Sequence, residues 1–298
     1  MEKEMEQGFG GYHPAVNFIF FAGAVLFGMF FVHPAFLLLS VGLSCTSYFL
    51  FKGRRGVRLL LGMLVLFAAV SLLNPVFNPY GETVLFTWLW GRPFTLEALL
   101  YGLATGGMFL TVILWFACYN EIMTSDKFTY LFGKFVPALS LVLCMVLRFV
   151  PHFREKAQTI GGARRCIGKS AENGTKRERL ESGMAVLSVL TSWSLEGAAV
   201  TADSMKSRGY GSGPRTNFSI YRLSRRDGVV LTLLAVCAAG LAACMLRGGT
   251  EAVFLPGIFW AQGPATALGS VFYGIFLAVP AAIQIGEGIT WRILRSRI

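Results

Sequence analysis

Arg208 is the residue whose type and position point most directly to a binding function. It ends a predicted helix that begins at about Lys176, and Gly209 follows it. A guanidinium at a helix end can bind a carboxylate through two parallel hydrogen bonds. The alternative is that its charge only complements the helix dipole, an effect of about 0.3–1 kcal/mol. The spacing alone leaves both interpretations open.

A stripe of mostly small residues runs along the same predicted helix towards Arg208. Its members alternate by four and three positions, which places them on one helix face. They are Leu187, Thr191, Ser194, Ala198, Thr201 and Met205. Small side chains let two helix backbones approach closely, so we predict a tight helix crossing here, with Arg208 projecting at its end. The neighbouring stripe, which contains Trp193 and Gly197, is predicted to face lipid headgroups or another subunit.

Two predicted helices position these residues. The first extends from Arg154 to about Lys169, and the run Ser-Ala-Glu-Asn-Gly-Thr at 170–175 separates it from the second. We expect Gly209 to supply a left-handed cap, and the glycines and proline that follow it to prevent continuation of the helix.

Residues with catalytic or metal-binding chemistry are scarce. His13, His33 and His152 are far apart in sequence, and the first two directly precede prolines, so they are expected to mark helix starts and turns. The six cysteines form no CxxC pair, and no GxxxxGK[ST] phosphate-binding motif occurs. We therefore predict a chain without cofactor, metal or catalytic activity of its own.

The composition indicates a membrane protein. Of the 298 residues, 54% are hydrophobic and only 14% charged, whereas soluble domains carry about 25% charged residues. Apolar runs close to the ~20 residues needed to cross a bilayer recur at 14–32, 34–51, 57–73, 97–118, 228–246 and 265–286. The predicted fold class is all-α, a polytopic helical membrane protein with cytoplasmic coupling helices.

The positive charge is concentrated in one segment. Residues 151–227 hold 14 of the 27 Lys and Arg but 7 of the 16 acids. Because basic residues beside spans stay on the cytoplasmic side, this segment, the cluster at 52–58 and the C-terminal tail are predicted to be cytoplasmic and to attract acidic lipids. The basic segment lies between spans, so nucleic acid is not an expected partner.

These features divide the chain into three predicted domains. They are an N-terminal transmembrane region of four to five spans (1–150), a cytoplasmic coupling-helix region (151–227) and a C-terminal region of two spans (228–298). Counting spans from the basic anchors leaves 136–150 with both flanks cytoplasmic. Either this stretch is a broken or re-entrant element beginning at Pro137, or residues 84–91 take part in an extra crossing.

Several segments of the sequence together resemble a known family. From 147 onwards they are LRFVP at 147–151, AQTIGGARRCIG at 157–168, TADSMKSRGYG at 201–211, RT at 215–216 and RRD at 225–227. Upstream they are HPAVNF at 13–18, NPVFNPYGETVLF at 74–86, TLEALLYG at 95–102 and SDKFTYLFGKFVPALSLVL at 125–143. In this order and spacing they resemble the transmembrane T component of energy-coupling factor (ECF) transporters, the cobalt-transport permease-like family.

The resemblance implies a membrane scaffold in the plasma membrane that joins two cytoplasmic ABC ATPases to a separate substrate-binding (S) subunit. In that family the coupling helices end in two Ala-Arg-Gly-like motifs whose arginines enter grooves on the ATPases. The second motif corresponds to Ser207-Arg208-Gly209 and the first to Ala163-Arg164-Arg165, where Arg165 replaces the glycine. Both Arg164 and Arg165 are candidates for the first ATPase, and we assign the contact to Arg164.

Two other classes of protein remain as alternatives. A conventional ABC permease that forms its own substrate path would also need a cytoplasmic coupling helix, although usually one short one. An enzyme or an independent carrier would function without an ATPase. Ion-coupled carriers place ionisable groups deep in the bilayer, and such groups are scarce in the predicted spans. The transported substrate is not encoded in any motif of this chain.

Overall fold

A computed structural model describes residues 8–78, 81, 83–87, 93–133, 137–168, 175–213, 221–254 and 257–295. The described residues form nine α-helices. In chain order these are α1 (Pro14–Phe30), α2 (Pro34–Lys52), α3 (Val57–Phe77), α4 (Leu96–Ile122), α5 (Ser125–Gly133), α6 (Pro137–Cys166), α7 (Lys176–Ser207), α8 (Arg225–Leu246) and α9 (Pro264–Arg295).

Short elements connect some of these helices. Strands β1 (Val84–Thr87) and β2 (Pro93–Thr95) pair antiparallel, and so do β3 (Ala252–Val253) and β4 (Phe259–Trp260). Two 3₁₀ turns lie at Phe9–Gly11 and Gly53–Gly56.

The predicted polytopic all-α fold is confirmed. A helix covers each of the six predicted spans, and six helices are long and apolar enough to cross a membrane. These six are α2, α3, α4, α7, α8 and α9, whereas α1 is apolar but has only 17 residues. That length is at the lower limit of the roughly 17–25 residues that span a bilayer. Helix α7 was predicted to be cytoplasmic, and its length and apolar character also permit a span.

The ambiguous segment around Pro137 forms one long helix. Helix α6 begins at Pro137 and continues through Pro151 to Cys166. The helix predicted to begin at Arg154 is therefore the second half of α6, and that predicted start is wrong. An element does begin at Pro137, as one of the two alternatives had it, but it is a continuous helix rather than a broken one. Proline within an apolar helix is tolerated where the freed carbonyl is otherwise satisfied. Residues 84–87 form a strand of four residues, about 13 Å long, so they do not begin an additional helical span. Residues 88–91 lie outside the described residues.

The predicted role of two histidines as helix starts is confirmed. Nδ1 of His13 accepts a hydrogen bond from the backbone N–H of Ala15 at 3.2 Å, and Nδ1 of His33 accepts one from Ala35, also at 3.2 Å. Each imidazole thus satisfies a donor that the first turn of the helix leaves free. His33 Nε2 also lies 3.0 Å from the carbonyl oxygen of Ala261. The repeated His-Pro-Ala sequence therefore starts α1 and α2 in the same way.

The chain divides by packing into two compact units, residues 1–124 with 221–298 (unit 1) and residues 125–220 (unit 2). The three predicted domains separate membrane-spanning from cytoplasmic regions, whereas these two units are defined by packing. The division into units therefore does not test the predicted domains, which stay a prediction.

Aromatic residues fill the core of unit 1. The ring of Phe20 lies 5.4 Å from that of Trp115 on α4 and stacks at 5.5 Å on Phe276 of α9. Nearer the other end of α1, Phe31 lies 5.4 Å from Tyr273, whose hydroxyl is 3.0 Å from the hydroxyl of Ser40 on α2. These contacts join α1, α2, α4 and α9 around one buried cluster.

Glycines bring α3 and α4 into close contact. A Cβ atom at Gly102 would lie 2.6 Å from the backbone oxygen of Ser71, and one at Gly106 would lie 3.2 Å from that of Phe67. Glycines four residues apart allow such an approach between membrane helices. The Gly102–Gly106 pair is a feature that the sequence analysis missed, although its GxxxG spacing is visible in the sequence.

Candidate functional site

Helix α7 has defined caps at both ends. Thr175 and Glu178 form a capping box, in which the Thr175 N–H donates to Glu178 Oε2 at 2.7 Å. At the other end Gly209 has φ +80, its N–H donates to Lys206, and the Tyr210 N–H donates to Met205, each at 3.0 Å. This is the Schellman arrangement, which requires a left-handed residue. The predicted cap at Gly209 is confirmed.

The Ser-Arg-Gly motif forms the tip of α7. The Ser207 hydroxyl donates back to the carbonyl of Ser204 at 3.0 Å, and the Arg208 N–H donates to the same carbonyl at 3.2 Å. Arg208 is the C-cap residue, and its side chain is exposed. A capped helix end therefore holds the backbone of Arg208 while its guanidinium remains accessible.

Helix α6 ends in a similar way, but its arginines are placed differently. Gly168 has φ +76, and its N–H donates to the carbonyl of Arg165 at 3.0 Å. Arg165 and Ala163 are exposed, whereas Arg164 is half-buried and its Nε donates to the Ser182 hydroxyl of α7 at 3.3 Å. Arg164 thus holds the end of α6 to α7. Its assignment to the first ATPase stays a prediction.

Helices α6 and α7 pack antiparallel. The ring of Trp193 lies 5.1 Å from that of His152 and 5.8 Å from that of Phe153, and Lys156 Nζ lies 5.5 Å from its centroid. Arg164 lies eleven residues after Phe153 on α6, and it contacts Ser182, which lies eleven residues before Trp193 on α7. Because the contacts move forward along α6 and backward along α7, the two helices are antiparallel.

The two arginine-bearing tips are consequently far apart. Arg164 lies beside Ser182, and Arg208 is 26 residues further along α7. At 1.5 Å per helical residue, this separation is about 39 Å. The α6–α7 pair therefore presents one guanidinium group near each of its ends.

The α6–α7 contact uses a different face from the predicted stripe. Trp193 was predicted to face headgroups or another subunit, and its contacts with α6 correct that expectation. Thr191 and Ala198 are exposed, while Ser194, Thr201 and Met205 are half-buried. Bulky side chains on α6 explain why Trp193 rather than the small-residue stripe packs against it. They keep the two backbones apart, and a large ring fills the space between them. The tight helix crossing predicted on the small-residue stripe stays a prediction.

Much of the α7 surface is apolar and exposed. The large exposed side chains are Leu180, Met184, Leu187, Val189, Leu195 and Val200, with exposed fractions from 50% to 72%. Among the described residues of unit 2, Ser182 alone is buried. An exposed apolar surface of this kind on a long helix marks an interaction site with protein or lipid.

Chemically, the site suits binding rather than catalysis. It offers arginine forks at capped helix ends and small or apolar side chains between them. Among the described residues, no three His, Cys, Asp or Glu side chains cluster as metal ligands. His152 was expected to mark a helix start or turn, which is wrong, because it lies inside α6 and contacts Trp193. Ser182 was missed in the sequence, because only its partner across the pair gives it a role.

No protein-family model matches this chain, and no curated protein is significantly similar to it.

Proposed function

We propose that this chain is the transmembrane coupling subunit of an ECF-type ABC importer in the plasma membrane. It would link two cytoplasmic ATPases to a separate membrane subunit that binds a vitamin or metal ion. The part of α6 from Pro151 onwards and the whole of α7 would be cytoplasmic, and ATP hydrolysis would occur on the partners. The observation that carries the proposal is the pair of arginine-bearing helix ends, about 39 Å apart along one exposed antiparallel pair.

The separation of the arginines suits two partners rather than one. A pair of ATPases offers two equivalent grooves, and one guanidinium could enter each groove and bind its carboxylates in a bidentate manner. The third residue of the motif is Arg165 at the end of α6 and Gly209 at the end of α7. The two ATPase grooves would therefore be contacted by helix ends of different sequence.

The mechanism follows from the rigidity of the helix ends. The Schellman cap at Gly209 fixes the direction of Arg208, so a force on its guanidinium acts on the whole of α7. Approach and separation of the ATPases during the nucleotide cycle would tilt α6 and α7 as rigid bodies. The exposed apolar face of α7 would pass this movement to the substrate-binding subunit.

Purification with partners tests the proposal. The tagged chain, extracted in mild detergent, is expected to bring down two ABC ATPases and a small membrane protein. Arg208→Glu should reduce the recovered ATPase at least tenfold, since a charge reversal opposes the carboxylates of the groove. Arg164→Glu and Arg165→Glu, compared with each other, identify the contact of the first tip.

Arg292→Glu is the matched control, because Arg292 is an exposed arginine of unit 1 and undergoes the same change of charge. Its ATPase recovery should equal that of the unmodified chain. Full transport by an intact complex carrying Arg208→Glu would contradict the proposal. Recovery of ATPases without a separate membrane subunit would instead favour a conventional permease.

A further inference from the structure

A cleft between α6 and α7 is a second feature of unit 2, distinct from the arginine tips. Its volume is about 580 Å³. Its lining combines aromatic side chains of α6 and α7 with Glu196 and Thr201 of α7. The aromatic lining residues are Phe149, His152, Phe153 and Trp193. A concave, mainly apolar site with a few polar groups is the usual form of a ligand pocket.

The cleft lies where α6 changes from apolar to charged. Before Pro151 the described part of the helix carries one charged residue, Arg148, whereas Arg154, Glu155 and Lys156 follow it. Such a change is typical of a helix that leaves the hydrocarbon for the headgroup region, where Trp rings are also favoured. In a bilayer, this pattern would place phospholipid headgroups at the level of the cleft.

An exposed apolar stripe leads along α6 to the cleft. Val142, Val146 and Val150 are spaced by four residues and are 54%, 49% and 58% exposed. Phe149, which lines the cleft, lies beside the end of this stripe. A surface of this kind suits an acyl chain whose headgroup occupies the cleft.

Charges of both signs border the cleft. Glu196 lines it, and Lys156 lies over the Trp193 ring, with Nζ 5.5 Å from the centroid. The nearby Glu155 carboxylate lies 3.9 Å from His152 Nδ1. The cleft thus has a carboxylate among its lining residues and an ammonium over one of its aromatic rings. This combination complements a zwitterion better than an anion, because an anion drawn to Lys156 would also be repelled by Glu196.

We propose that this cleft binds the headgroup of a phosphatidylethanolamine-type lipid. The ammonium of the lipid donates hydrogen bonds to Glu196, the phosphate lies towards Lys156, and one acyl chain follows the valine stripe of α6. A primary ammonium is preferred over a quaternary one, because only the primary group can donate hydrogen bonds to the carboxylate. The lipid would brace α6 against α7 beside Pro151.

Native mass spectrometry of the full chain in detergent tests this inference. The probes are phosphatidylethanolamine and phosphatidylglycerol with identical acyl chains. We expect several-fold greater retention of the ethanolamine lipid. Glu196→Gln should lower that retention about tenfold, as expected for loss of a charge-assisted hydrogen bond. Because Glu196 is exposed, the variant should fold normally.

Glu181→Gln is the matched control, an exposed acid on α7 away from the cleft, and it should leave lipid retention unchanged. Equal retention of the two lipids, or equal effects of the two variants, would overturn the inference. Soluble glycerophosphoethanolamine should compete poorly, since it has no acyl chain. If it displaces the lipid at equal concentration, the site takes a free amine and the lipid assignment is wrong. None of these outcomes depends on the presence of ATPases.

Discussion

The two units of this protein are built on different principles. Unit 1 encloses an aromatic cluster in which Trp115, Phe20 and Tyr273 are fully buried. In unit 2 the largest ring at the α6–α7 contact, Trp193, is only half-buried. A helix bundle that buries its own core is specified by its own contacts, whereas a helix pair with exposed apolar faces depends on other molecules for the rest of its packing. The exposed apolar faces of unit 2 are therefore available for contact with lipid or protein.

Removing one tryptophan from each unit should reveal this contrast most clearly. Trp115→Ala deletes a fully buried ring and should reduce the free energy of unfolding by about 3–5 kcal/mol. Trp193→Ala should cost less than half of that, because solvent already reaches the ring. Reversible unfolding in mixed micelles measures both. Equal losses would show that unit 2 has a core of its own.

Adding one methyl group should have opposite effects in the two units. Gly102→Ala places Cβ against the backbone of Ser71 and should destabilise the chain by about 1–3 kcal/mol. Gly183→Ala on α7 has nothing within 4 Å of the new Cβ, so helix propensity should dominate and stabilise by about 0.5–1 kcal/mol. Reversible unfolding in mixed micelles measures the change in the free energy of unfolding for both variants. A loss at Gly183 would mean that α7 is closely packed there.

Removing a helix cap of unit 1 should have a smaller effect on the free energy of unfolding. His33→Ala removes the bond to the Ala35 N–H and the contact with Ala261, and should cost about 1 kcal/mol. His33→Asn restores an N-cap acceptor and should recover most of the loss. Unfolding in micelles again measures the difference. Equal stability of the alanine and asparagine variants would show that the cap contributes nothing.

The smallest effect on the isolated chain is expected on the open face of α7. Leu195 is 68% exposed, so Leu195→Gln should change the free energy of unfolding by less than about 0.5 kcal/mol. In contrast, it should weaken recovery of the proposed substrate-binding subunit during purification. A stability loss above 1 kcal/mol would indicate that this face is already covered within the chain.

Local sequence signals predicted much of this structure. Hydropathy located the helices of unit 1 within four residues at every end but one, since a span must be apolar along its length. The exception is the end of α9, which continues to Arg295 rather than stopping at 286. Proline after His13 and His33, and glycine after Arg208, correctly predicted helix ends because those residue types act on the adjacent backbone.

Features that depend on distant residues were predicted less well. The continuity of α6 through Pro151 was missed because proline usually signals an end. The face of α7 that meets α6 was also predicted wrongly, since Trp193 gains its role only from His152 and Phe153 across the pair. The functions of the arginines lie outside the chain altogether and stay predictions.

The most direct test of the account asks on which side of the membrane the two ends of α7 lie. Single cysteines are introduced as Arg177→Cys and Tyr210→Cys in a cysteine-free background and treated with a membrane-impermeant thiol reagent in oriented vesicles. The account predicts that both positions react only from the cytoplasmic side. Labelling of the two positions from opposite sides would show that α7 spans the bilayer and would contradict its role as a cytoplasmic coupling helix.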